Sequence, residues 1–145
     1  MRHCVFAAAL MAATSSAGCD HKIAQCNRLI DTMNKEQAGI QNIKLGGGAD
    51  AKAEESAEEL VKLAEVLDRI SGQVKAVELQ DEQLVQHQAK YVDMATNLAK
   101  TVRDTAKAME EHDREKAEAG AEAINKFKEP ERELVNTINQ YCGGS

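Results

Sequence analysis

Tryptophan is absent from this chain of 145 residues, and aromatics are limited to two Tyr and two Phe. Such a chain has little with which to build a stacking platform or a broad aromatic pocket. Long apolar runs are also missing. The longest, Cys4 to Ala13, spans ten residues, about half of the ~20 that a bilayer-spanning helix requires. An excess of positive charge is lacking too: 18 basic residues face 24 acidic ones, a net of −6. That balance argues against a nucleic-acid partner, which needs a basic face to neutralise phosphates, and offers no polybasic grip on anionic lipid. Proline occurs once, at Pro130.

Patterns for chemistry are missing as well. His21, His87 and His112 stand apart, without the spacing of a His-Glu-x-x-His zinc site or of paired Glu-x-x-His di-iron motifs. Gly46-Gly47-Gly48 lacks the Lys and Ser/Thr of a phosphate loop and reads as a linker. The acidic pairs Glu54-Glu55, Glu58-Glu59 and Glu110-Glu111 read as solvated helix faces. Tyr91, Met94 and Phe127 could border a small apolar site, but core packing is the simpler use for them. No catalytic residue, metal ligand or cofactor-binding residue is therefore expected, and the chain is not expected to be an enzyme.

What is present begins at the amino terminus. Arg2 and His3 precede the apolar run, and the small residues Ser15-Ser16-Ala17-Gly18 precede Cys19. A basic start, a short apolar stretch and small residues make a cleaved export signal over residues 1–18. Ser16-Ala17-Gly18-Cys19 resembles the lipobox of bacterial lipoproteins. The resemblance implies cleavage before Cys19 and attachment of lipid to its thiol, giving a membrane-anchored protein of the bacterial cell envelope. Ser15-x-Ala17 also offers ordinary cleavage after Ala17. Cysteine parity favours the anchored reading. Cys4 leaves with the leader and Cys19 carries lipid, so Cys26 and Cys142 remain as one even pair in an oxidising compartment. Whether the inner or the outer membrane receives the anchor is not written in the sequence.

The mature part loses only Arg2 among its charges, leaving 17 basic and 24 acidic residues, a net of −7. It is rich in helix formers and carries apolar stripes at three-four spacing, which predicts one all-α domain over residues 19–142. Four helices are expected, over about 20–45, 50–77, 81–110 and 113–141. The first stripe is Ile23, Cys26, Ile30, Met33 and Ile40, widened by Leu29 and Ile43, and the glycines at 46–48 end it. Asp50 is the expected cap of the second helix. The heptad phase from Val77 to Leu84 would also allow the second and third helices to run on as one. Asp81 followed by Glu82 reads instead as a cap with an acidic first turn, so a turn is expected at Leu79 to Asp81. Asp113 should cap the fourth helix, Pro130 should kink it, and residues 143–145 should form a loose tail.

Four helices of similar length joined by short connections form an up-down-up-down bundle. An even number of antiparallel rods returns the last end beside the first, which places Cys26 and Cys142 at one end as a disulfide. The motifs Cys26-Asn27, Leu79-x-Asp81-x-x-Leu84, Tyr91 and Ile138-Asn139-Gln140-Tyr141-Cys142 are similar to those of a loose group of bacterial helical lipoproteins. That likeness implies architecture and no activity. The expected role is non-catalytic: a lipid-anchored structural element or a binder of a protein partner. A carrier of a small apolar ligand within the bundle is the alternative.

Overall fold

A computed structural model describes residues 17–41 and 53–143, with side chains at 21–35 and 56–143. Its elements are α1 (Ala17–Gln41), α2 (Ala53–Lys75), α3 (Glu82–Glu110), α4 (Arg114–Lys126) and α5 (Lys128–Gly143). The chain is an all-α up-down-up-down bundle of four rods, the fourth being α4 and α5 in succession. No strand occurs among the described residues. The expected glycine linker at 46–48 and the expected cap at Asp50 lie outside the described residues.

The central rod is α3, which touches every other helix; its broadest interface is with α2. Small residues on both sides allow this approach: Ala64 on α2 and Ala99 on α3 are fully buried, between Leu63, Leu67 and Val102. At the other end of the rods the core is larger-grained, built from Cys26, Leu29, Met33, Ile70, Val74, Leu84, Tyr91 and Ile138. Residues from α1, α2, α3 and α5 all contribute to that end. Among the described residues, the far end draws its buried side chains from α2 and α3, with Ile124 of α4 packed against them.

The ends of α3 follow from local chemistry. Asp81 is the N-cap, and its carboxylate accepts the Leu84 amide at 3.0 Å, one of the four amides a helix start leaves unpaired. At the other end His112 adopts φ 57°. Its amide donates to the Met109 carbonyl at 3.1 Å, and the Asp113 amide donates to the Ala108 carbonyl at 2.8 Å. These are the two bonds of a Schellman stop, a position that glycine usually fills. Asp113 then caps α4, accepting the Lys116 amide.

Three expectations are corrected. The second helix ends at Lys75 instead of near 77, so the connection runs from Ala76 to Asp81. The break in the fourth rod falls at Phe127, not at Pro130. Proline without an amide hydrogen is tolerated in a helix's first turn, where amides lack partners anyway. The rod therefore restarts at Lys128, with Pro130 as the third residue of the new helix. Finally, Gly143 is the last residue of α5 and not part of a tail.

The α3–α4 crossing depends on one glycine. A Cβ at Gly120 would lie 2.1 Å from Thr105 Oγ1. That hydroxyl is held in place by donating to the Thr101 carbonyl at 2.7 Å. Any side chain at 120 would push the two helices apart.

Candidate functional site

Two regions stand out: the disulfide-closed end with the helix that leads to Cys19, and an apolar groove at the opposite end. Cys26 and Cys142 form a disulfide across a sequence separation of 116, with a Cα–Cα distance of 5.6 Å. Cys26 is 2% exposed and belongs to the core; Cys142 packs against it half-buried. Cys19 lies in the first turn of α1, seven residues before Cys26. At about 1.5 Å per residue, that sets its backbone roughly 10 Å further out along the helix than the bridge.

A polar cluster closes this end around the α2–α3 connection. Gln25, 2% exposed, sits among the apolar residues of α1. Its Oε1 accepts the amides of Gln80 and Asp81, the latter at 3.0 Å. From the other side, Gln88 Nε2 donates to the carbonyls of Val74 (2.7 Å) and Val77 (2.8 Å). Two glutamines from different helices thus supply the partners that a turn without Gly or Pro cannot supply itself. Arg28 of α1 donates to the Glu78 carbonyl at 3.3 Å, and His21 Nε2 lies 2.9 Å from Gln80 Oε1.

Tyr141 joins α5 to the same cluster. Its hydroxyl donates to the Asp81 carboxylate, 2.9 Å from both oxygens. Lys22 Nζ stands 3.7 Å over the centre of its ring, and His87 meets the ring edge-on with centroids 5.8 Å apart. The Leu84 amide holds the Asp81 carboxyl below its ordinary value, against an opposing push from partial burial, with Tyr141 and Lys22 adding to the lowering. Burial drives the Tyr141 hydroxyl upward, and the Asp81 hydrogen bond adds to it. Burial likewise pushes His87 down, Lys90 assists, and Asp81 opposes. His87 Nδ1 is buried without a hydrogen-bond partner, so the neutral imidazole is the form this site accepts.

Tyr91 is 3% exposed among the residues of the main core, and Met94 packs against the same cluster. Burial pushes the Tyr91 hydroxyl up to about 12. Phe127 sits half-buried at the α4–α5 break. Among the described residues, an apolar groove of about 400 Å³ lies elsewhere, bordered by Leu60, Leu63, Thr105, Met109, Ala121 and Ile124. Arg114 and Glu118 stand at its rim, paired to each other at 2.7 Å.

Of the residues singled out in the sequence, Cys26 and Cys142 are brought together, His21 and His87 both border the polar cluster at the α2–α3 connection, and His112 stands at the other end of α3. Among the described residues no group of three His, Cys, Asp or Glu side chains could hold a metal ion. No helix among them is long and apolar enough to cross a membrane. Gln25 and Gln88 carry no sequence signal beyond a polar residue at an apolar stripe position, and the sequence reading missed both. Searches against protein-family models, curated proteins and solved structures gave no match to this chain.

Proposed function

We propose that this protein is a lipid-anchored helical element of the bacterial cell envelope whose work is non-catalytic, binding a protein partner or acting as a spacer. The observation that carries the reading is Cys19, set after a short apolar leader and the small residues Ser16-Ala17-Gly18. Its place on α1, ahead of the disulfide, supports the reading. An anchor there would pull on the end of the bundle that the covalent bridge and the polar cluster hold together. Several of the described ionisable groups have structural employment. Asp81 and Tyr141 join helix ends, and Glu58–Lys62, Lys100–Asp104 and Glu122–Lys126 are ion pairs along single exposed helix faces.

Metabolic labelling with a fatty-acid analogue tests the anchor. The native chain should take up label and sediment with membranes, and Cys19→Ala should lose both properties. A native chain that stays unlabelled overturns the reading. For the partner, crosslinking in intact cells should give a reproducible adduct that disappears when the protein is released from the membrane.

The apolar groove favours a second reading, a carrier of a small apolar ligand. Native mass spectrometry of protein taken from its own host decides it. A persistent added mass supports a ligand, and a bare chain mass opposes it.

A further inference from the structure

The last rod is lightly embedded in the bundle. None of the 13 residues of α4 is fully buried, and of the 16 in α5 only Ile138 is. Leu134, Val135, Tyr141 and Cys142 lie half-buried against the core. Between α5 and α1 a cavity of about 90 Å³ remains, bordered by Ile30, Met33, Val135 and Ile138. Three ties from α5 to the rest of the molecule gather in its last turn. These are the Cys26–Cys142 bond, the Tyr141 hydroxyl on Asp81, and Lys22 over the Tyr141 ring. At its other end α5 meets α4 at Phe127, where the rod already breaks. Pro130, two residues into α5, has no amide to bond back across that junction. One end of α5 is jointed, and the other is clasped.

We propose that the Cys26–Cys142 disulfide is a reducible clasp, whose opening by a dithiol lets α5 swing away at Phe127 while α1, α2 and α3 stay packed. Helix α1 keeps its place through ties that do not involve α5. Gln25 accepts the Asp81 amide, Arg28 donates to the Glu78 carbonyl, and Leu29 is fully buried. The departure of α5 uncovers Ile30 and Met33 on α1, together with the part of the core that Ile138 fills. A reversible apolar face is thereby produced at the closed end. The two sulfurs differ in access, since Cys26 is 2% exposed and Cys142 is half-buried. A thiolate of the dithiol therefore attacks Cys142 Sγ, and the Cys26 sulfur leaves and takes up a proton. The second sulfur of the dithiol then attacks its own first sulfur, freeing Cys142, which takes up the second proton. The protein gains two electrons and two protons, and the dithiol becomes a disulfide. This inference does not depend on the anchor at Cys19.

The test uses the mature chain, residues 19–145, carrying Cys19→Ala, with and without dithiothreitol and without denaturant. Amide hydrogen exchange is read by mass spectrometry on peptides of each helix. Reduction should speed exchange across residues 128–143 by about tenfold or more, and peptides of α1, α2 and α3 should stay within about twofold. The variant Cys26→Ser/Cys142→Ser, with no reductant present, should reproduce that pattern. A bond that resists dithiothreitol in the folded chain overturns the proposal, as does an unchanged rate in α5 of the reduced chain. Acceleration that extends through α2 and α3 overturns it as well, because the bridge would then hold the whole bundle and not one helix.

Discussion

The two ends of this bundle are built on opposite plans. At the disulfide end, four helices meet around Leu29, Ile70, Leu84 and Ile138, all at or below 1% exposure. A disulfide joins α1 to α5 there, and hydrogen bonds from α1, α3 and α5 converge on the α2–α3 turn. At the far end the described buried residues come from two helices, packing there depends on small residues such as Ala64, Ala99 and Gly120, and an apolar groove borders the core. Alanine-rich packing buries little apolar area per residue, so the far end owes more to close approach than to bulk. The contrast teaches that a bundle poor in aromatics can concentrate its stability at one end and leave the other adjustable.

Removing the disulfide is the strongest way to break that contrast. Cys26→Ser with Cys142→Ser should lower unfolding free energy by about 5 kcal/mol, the chain-entropy value for so long a loop. Urea denaturation of the two forms measures it, and a difference below about 1 kcal/mol would show that the bridge contributes little.

Truncation of core leucines sharpens the comparison. Leu29→Ala, at the closed end, should cost about 3–4 kcal/mol. Leu63→Ala, at the groove, should cost about 2 kcal/mol, because a site beside open space collapses with a smaller residual cavity. Equal losses in parallel denaturation curves would erase the distinction between the ends.

Acid should attack the closed end first. His87 has its folded value pushed below 6.5, so the folded protein binds fewer protons there than the unfolded chain does. Its contribution is complete above pH 6.5 and is lost as pH falls towards the depressed folded value. Asp81, lowered from 3.8, adds a second loss below that point. The melting temperature should therefore hold steady from pH 8 to 7 and decline below 6.5, and His87→Phe should flatten the first part of that decline. An unchanged acid limb in His87→Phe would assign the decline to other groups.

The smallest effect expected is a gain. His112 is exposed and carries a positive φ that glycine accepts without strain. His112→Gly should stabilise by about 0.5–1 kcal/mol, read as a small rise in melting temperature. A fall would mean that the imidazole does more than occupy the turn.

Local signals in the sequence were strongest where one residue acts on its own neighbours. Asp81 and Asp113 were legible as caps because a carboxylate two or three residues ahead of free amides is a short-range device. Apolar spacing located the buried faces of the rods, and the pairing of Cys26 with Cys142 followed from counting antiparallel helices. The end of α2 was harder to read. With neither Gly nor Pro in residues 76–81, that stretch carries no stop signal of its own. Pro130 misled in the other direction, marking a break that the backbone makes three residues earlier, where the ring's missing amide does no harm.

Helix content, the phase of each stripe and the even return of the chain were thus determined by the sequence alone, since all three rest on contacts within one or two turns. Only the tertiary structure decided that Gln25 and Gln88 would complete the α2–α3 turn, that Tyr141 would bind Asp81, and that Gly120 would admit Thr105. Those partners are separated by between 11 and 60 positions along the chain. Hydrogen-bond complementarity over such distances leaves no periodic trace in sequence, because it exists only once the rods have packed.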